Sequence, residues 1–219
     1  VSLVSQFSVI ADQMGVNLKK VGLALRHDKR IGQKSYILPG LGFTGGNIER
    51  DLKVVSRLII EQTKKKPVLL NSILKINEQH NRTPINLIIK KFSNLKNKRI
   101  SFLGITYKEN TDTLSGSLTI KYAKKLQKLG AKIKMYDANI SSKSKFKNIE
   151  ISKSLFSCLE GCDILIIVIA KKEYKNLKPL FCKKIMRSHF IIDAANMLNA
   201  KKFKLAGFKY AGIGTGYKF

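Results

Sequence analysis

The sequence predicts an α/β chain with a helical first part and a Rossmann-like, doubly wound parallel sheet in the second. Three observations carry this. Up to about residue 96 the apolar residues recur at helical spacing. From Arg99 onward short apolar runs alternate with amphipathic stretches, as strand–helix–strand units require. The most apolar run, Ile164-Leu165-Ile166-Ile167-Val168-Ile169-Ala170, suits a strand buried on both faces and is too short to cross a bilayer.

In chain order, Leu3, Phe7, Ile10 and Met14 mark a first helix that Gly15 ends, and Asn17 caps a second running to about Arg26. An irregular glycine-rich stretch over 27–46 leads into a helix from Asn47 to about Lys64, with Glu49 and Asp51 in its favourable first turn. Pro67 opens a further helix to about Phe92, which Pro84 should bend or interrupt. Strands are expected at 99–103, 131–137, 163–169, 189–193 and 209–212, and helices at 117–129, 153–160 and 179–186. The polar segment 141–148 is expected to be a mobile loop. The division falls near residue 96, giving parts of 1–96 and 97–219.

A chain of 219 residues with 44% hydrophobic content can bury a real core. The net charge of +28 admits two readings, a footprint for polyanions or a lysine-rich composition spread over solvated faces. No motif interleaves aromatic with basic residues, so nucleic acid is the less favoured partner. The cysteines, Cys158, Cys162 and Cys182, are odd in number and lack a zinc-site counterpart, so free thiols, a cytoplasmic location and no metal are expected. No membrane association is expected. The chain opens without Met inside a helical pattern, as a fragment would.

The segment Pro39-Gly40-Leu41-Gly42-Phe43-Thr44-Gly45-Gly46-Asn47 is a glycine loop opening a helix, a form that brings backbone N–H groups close to a ligand. Asp28-Lys29-Arg30-Ile31-Gly32 precedes it. Gly104-Ile105-Thr106-Tyr107-Lys108-Glu109-Asn110-Thr111-Asp112, Ile192-Asp193-Ala194-Ala195-Asn196-Met197-Leu198 and Gly207-Phe208-Lys209-Tyr210-Ala211-Gly212-Ile213-Gly214 follow. In that order and spacing they resemble the UDP-glucose/GDP-mannose dehydrogenase family, over essentially the whole chain. The resemblance implies a central dimerisation region in 1–96, hence a homodimer, and a domain in 97–219 that holds the nucleotide of a UDP- or GDP-linked sugar. It implies NAD as cofactor, bound mainly by an N-terminal domain with no counterpart here. The loop after the first strand also lacks the three spaced glycines of a dinucleotide fingerprint, although Asp137 ends the second strand where a ribose-binding acid would sit.

The family oxidises the sugar C6 alcohol to a carboxylate through a thioester on a cysteine in the glycine loop. At that position this chain carries Asn47, and an amide is no nucleophile. Other departures go with it. Gly46, Glu49 and Arg50 replace the family's Ser, Pro and Lys, Ser115-Gly116 stands where an Arg-Glu pair is usual, and Asp193-Ala194-Ala195 lacks a cation. The family's essential Lys and Asn would lie upstream of Val1.

Several positions persist. The resemblance makes Asp51 an orienter of the hydrolytic water, or else a charge at a helix start. It puts Lys108 at the sugar-nucleotide site, or else on the surface. Arg30 would reach the partner subunit's ligand, or else be a helix-end cation. Tyr36 and Phe43 would wall the cleft or lie in the core, and Gly45 shapes the loop. His27, His80 and His189 receive no role. Two functions follow: a divergent dehydrogenase portion, limited to alcohol–aldehyde oxidation or a redox-neutral rearrangement, or a non-catalytic nucleotide-sugar-binding or dimerisation module. A basic nucleic-acid binder ranks below both.

Overall fold

The computed structural model describes residues 1–141, 146 and 148–216. Helix α1 (Ser2–Met14) ends as expected at Gly15, whose φ of 69° is left-handed. Helix α2 (Leu18–Leu25) is capped by Asn17, whose side chain accepts from the Lys20 N–H. After an irregular stretch come α3 (Asn47–Thr63), α4 (Val68–Asn81) and α5 (Thr83–Lys91). Pro84 sits in the first turn of α5, so the single expected helix is interrupted at Arg82. A proline tolerates that position because its missing N–H would have no helical partner there.

The sheet follows, with β1 (Arg99–Leu103), β2 (Lys132–Tyr136), β3 (Ile149–Ile151), β4 (Ile164–Ile167), β5 (Phe190–Asp193) and β6 (Lys209–Gly212). Between them lie α6 (Leu118–Lys128), α7 (Leu155–Leu159), α8 (Lys172–Lys175), α9 (Pro179–Ile185) and α10 (Ala200–Leu205). The strand order is β3-β2-β1-β4-β5-β6, with every pairing parallel. This is the doubly wound sheet expected, and its order reverses between β1 and β4. Strand β3 and helices α8 and α10 were not expected. Each is six residues or shorter, too short for a periodic pattern to emerge. The expected mobile loop at 141–148 lies mostly outside the described residues.

One face of the sheet packs Phe102, Met135 and Ile166 against Tyr122, Ala123 and Leu126 of α6. Ile85 and Ile88 of α5 join this cluster, so a helix preceding residue 96 covers the sheet. The other face packs Leu103, Leu165 and Ile167 with Leu159, Tyr174, Cys182 and Phe203 from α7 to α10. A fully buried Ile or Leu contributes about 1.5–3 kcal/mol, so these clusters dominate stability. Around α1 the core is small, with Val4, Ala11 and Leu18 buried against Ile37. The stripe Leu3, Phe7, Ile10 and Met14 points to solvent, Met14 being 70% exposed. Among the described residues no helix is long and apolar enough to cross a membrane.

Candidate functional site

The glycine loop is held from one side by α4. The Phe43 N–H donates to Asn77 Oδ1 at 2.9 Å, and Asn77 Nδ2 donates to the Phe43 carbonyl at 3.0 Å. This two-point contact needs a close backbone approach. At Gly42, where φ is +82°, a Cβ would lie 2.4 Å from Asn77 Oδ1. One turn along, His80 Nε2 donates to the Gly40 carbonyl at 2.6 Å, and Asn81 Nδ2 adds a longer bond to Phe43 O at 3.5 Å. Positions 77, 80 and 81 share one helix face, so α4 presents a polar ladder to the loop. Its sequence signal was three polar residues at i, i+3 and i+4.

From the other side the loop meets the segment joining β1 to α6. Thr44 Oγ1 donates to the Tyr107 carbonyl at 2.9 Å. A Cβ on Gly45 would lie 2.9 Å from the Tyr107 ring, and one on Gly116 only 2.7 Å from Gly45 Cα. The C-terminal motifs close the arrangement. Asn196 Nδ2 donates to Ile213 O at 2.8 Å and to Pro39 O at 3.2 Å, and its Oδ1 accepts from the Ile213 N–H at 3.0 Å. Asp12 of α1 accepts from the N–H groups of Gly214 and Gly216 at 2.9 and 3.0 Å. The four motifs from Pro39 onward, far apart in sequence, thus meet around one loop.

Asp137 has a different task from a ribose ligand. Its Oδ2 accepts from the Ile105 N–H at 2.7 Å, and its Oδ1 accepts from the Asn139 N–H at 2.9 Å and from the Lys171 ammonium. Burial pushes this carboxyl up, but Lys171 and the N–H groups of Ile105 and Asn139 outweigh it and hold it below its ordinary range. Ser117 Oγ donates to the Ile105 carbonyl and Thr119 Oγ1 to the Gly104 carbonyl, both at 2.5 Å. The segment after β1 is therefore tied to its own chain.

Asn47 is the first residue of α3 and is exposed, with Gly46 as N-cap. Asp51, one turn further, is exposed and pairs with Arg50 at 2.9 Å. Phe43 and Gly45 are half-buried in the loop junction. Lys108 is exposed, its ammonium 5.3 Å from the centre of the Tyr107 ring. Phe43, Gly45 and the start of α3 are thus brought together with the Tyr107–Lys108 segment. Arg30 and Tyr36 make no hydrogen bond to that junction among the described residues. Arg30 is gripped by Asp28 at 3.0 and 2.6 Å, and Tyr36 is 84% exposed. Tyr36 lines a groove of about 240 Å³ beside Val1, Val4 and Ser5, so it is not a core residue.

All three cysteines lie in the sheet cluster faced by α7 to α10, away from the loop. Burial pushes each thiol up to about 12, so none is a thiolate near neutrality. Among the described residues no three His, Cys, Asp or Glu side chains are grouped to hold a metal ion.

Asn77, Asn81 and Asp12 were not singled out in the sequence, His80 was named without a role, and Asn196 stood only within its motif. His80 is 4% exposed, and its Nδ1 has no partner among the described residues. Burial lowers its basicity below the ordinary 6.5, with the Gly40 carbonyl and the Asp12 charge opposing. An unfolded imidazole therefore binds its proton at a higher pH than the folded one does. Stability from neutral His80 is complete above about pH 6.5 and falls as pH drops below it. Denaturant titrations between about pH 7 and 5 should show this decline, and His80→Gln should flatten it. An unchanged slope would remove His80 from the loop's acid response.

The sequence model described as "UDP-glucose/GDP-mannose dehydrogenase family, central domain" matches residues 1–79, and the one described as that family's "UDP binding domain" matches residues 101–200. The UDP-glucose 6-dehydrogenase of Rickettsia prowazekii is 28% identical over 224 residues, covering 98% of this chain and 50% of the relative. Among solved structures, an NDP-N-acetyl-D-galactosaminuronic acid dehydrogenase from Methanosarcina mazei superposes with a TM-score of 0.86 at 20% identity, covering 99% of this chain and 48% of that one. A UDP-glucose dehydrogenase from Pyrobaculum islandicum gives 0.81 at 24% identity, covering 98% and 47%. The chain spans about half the length of the curated relatives it matches.

Proposed function

Because the chain belongs to the UDP-glucose/GDP-mannose dehydrogenase family, we propose that it is the nucleotide-sugar-binding portion of a divergent NAD-dependent nucleotide-sugar dehydrogenase, with Asn47 in place of the nucleophilic cysteine. The observation that carries this reading is the junction of Thr44 and Gly45 with Tyr107 and Gly116. It sets the segment entering α3 against the residue before Lys108, at the carboxyl end of β1. Open parallel sheets take their ligands at such a place, where strand order reverses.

In this reading residues 97–219 hold the nucleotide, with the Lys108 ammonium compensating its diphosphate. Lys108 forms no ion pair among the described residues, which leaves its charge available. Phe43 and Tyr36 flank the ligand. Residues 1–96 form a homodimer through Leu3, Phe7, Ile10 and Met14, a stripe whose exposure supports a covering partner. Arg30, exposed and aimed by Asp28, reaches the second subunit's ligand. A cytoplasmic location belongs to the same reading.

NAD does not fit the sheet of this chain. The N–H groups of Ile105 and Thr106 already donate to Asp137, and Ser117 caps α6. The amides that would cradle a pyrophosphate are taken, so the cofactor is assigned to another part of the protein. At Asn47 no thiohemiacetal can form, so the second oxidation lacks its covalent intermediate. Without that intermediate, NAD held by another part of the protein would supply only a single two-electron oxidation of the sugar alcohol, stopping at the aldehyde. Asp51, exposed beside Asn47 on the same face of α3, then has no thioester to help hydrolyse.

The full-length protein with UDP-glucose or GDP-mannose and NAD should yield at most one NADH per sugar oxidised. Asn47→Cys should raise the yield toward two. Two NADH from the unaltered protein would refute the reading. The missing nucleophile also favours a second reading, a non-catalytic binding module, which would bind the sugar nucleotide in calorimetry while producing no NADH.

A further inference from the structure

A second concave site lies on the opposite side of α3. A cleft of about 750 Å³ opens between α3, α4, α5 and α6. Successive helical residues turn by about 100°, so Glu49 and Lys53, which line it, lie roughly 200° and 240° around α3 from Asn47. Asp51 lies within about 40° of Asn47. None of Arg30, Tyr36, Phe43, Gly45 or Lys108 lines this cleft.

Its charge is one-sided. Lys53, Lys75, Arg82, Lys121 and Lys125 face Glu49 and Glu78. Both carboxylates are occupied within their own helices, Glu49 by Lys53 and Glu78 by Arg82. Lys75, Lys121 and Lys125 form no ion pair among the described residues. Lys121 and Lys125 stand four apart on α6, where like charges repel, and an anion between them relieves that repulsion. A concave wall of one sign also concentrates counter-ions.

The floor is apolar, built from Leu74, Ile85, Leu118 and the Tyr122 ring, whose hydroxyl donates to the Asn81 carbonyl. A ligand matching both features carries several negative charges and a flat apolar ring.

We propose that this cleft binds a nucleoside polyphosphate, at a site separate from that of the nucleotide sugar. The phosphates meet Lys75, Lys121 and Lys125, and the base lies over Leu118 and Tyr122. Asn77 lines the cleft and also holds Phe43, so occupancy bears on the glycine loop. The proposal does not depend on the reaction assigned above.

The test is calorimetry on the full-length protein with ATP, inorganic tripolyphosphate, UDP-glucose and a single-stranded oligonucleotide. It compares the wild type with the exposed-residue pair Lys121→Glu and Lys125→Glu, and with the charge-matched control Lys124→Glu and Lys128→Glu outside the cleft. The expected result is at least tenfold weaker ATP binding in the cleft variant, less than threefold in the control, and unchanged UDP-glucose binding. ATP should bind several-fold more tightly than tripolyphosphate. Equal weakening in both variants would reduce the effect to general surface charge and overturn the proposal. So would tripolyphosphate matching ATP, or an oligonucleotide outcompeting it. A parallel loss of UDP-glucose binding would merge the cleft with the sugar-nucleotide site and overturn its separateness.

Discussion

Replacing Asp137 with alanine is expected to destabilise the protein by about 3–5 kcal/mol, the range for removing one partner of a buried ion pair. The Lys171 side chain is only 9% exposed and the Asp137 side chain is fully buried. Alanine would leave an ammonium without its counter-charge and the Ile105 and Asn139 N–H groups without an acceptor. Asp137→Asn keeps the shape and one acceptor oxygen but loses the charge, so it should fall between. The carboxyl's folded pKa lies below its ordinary value. The unfolded state then binds the proton first as acid is added. The stability contributed by Asp137 is present above about pH 4 and is lost as pH falls through the folded pKa. Denaturant titrations should therefore show a smaller acid-induced loss in Asp137→Asn than in wild type. A penalty below about 1 kcal/mol for the alanine variant would show that the pair behaves as a solvated surface bridge.

Asp137 also illustrates what could be read from the chain without coordinates. The position at the end of β2 was legible, because the run 131–137 alternates and stops at Asp137. Its role was not, since the partners Ile105 and Lys171 lie 32 and 34 positions away. The same contrast runs through the molecule. Strand β1 and helix α6 were legible because their signals are local: an apolar run for one, a serine cap and a glycine stop at 130 for the other. In α1 the periodicity marked a helix, yet Leu3, Phe7, Ile10 and Met14 face solvent while Val4, Ser8 and Ala11 face the core. A period identifies a face, not what covers it.

The loop's supports escaped for a similar reason. Asn77 contacts a residue 34 positions earlier, and Asp12 one 202 positions later. Nothing in the local pattern of either distinguishes a clamp from a solvated polar residue. The glycines carried more information, because close approach leaves a mark in the sequence. Gly42, Gly45 and Gly116 stand where a side chain would strike Asn77, Tyr107 or the backbone of Gly45. A side chain at 116 would push the loop away.

Asn77→Ala is expected to release the glycine loop from α4 and to cost about 1–3 kcal/mol, since the Phe43 N–H loses its acceptor while the Phe43 carbonyl keeps the longer bond from Asn81. Gly42→Ala should act on the same contact from the opposite side. Its φ of +82° is strained for any side chain, and the new methyl would lie 2.4 Å from Asn77 Oδ1. Relief requires the asparagine to withdraw or the loop to move, and either breaks the bond to Phe43. Because both substitutions remove one interaction, the double variant should cost little more than the larger single change. Independent sites would instead add to within about 0.5 kcal/mol. Hydrogen exchange provides a local readout, since the Phe43 N–H bonded to Asn77 should lose protection in each variant while the β1 amides keep theirs. Calorimetry with a sugar nucleotide should show weaker binding in both, because Gly45 and Asn47 follow Phe43 into α3. Additive costs, or a Phe43 amide still protected in Asn77→Ala, would mean that the loop is held chiefly by Thr44, Tyr107 and Gly116. The clamp would then belong to the segment after β1, and α4 would merely lie alongside it.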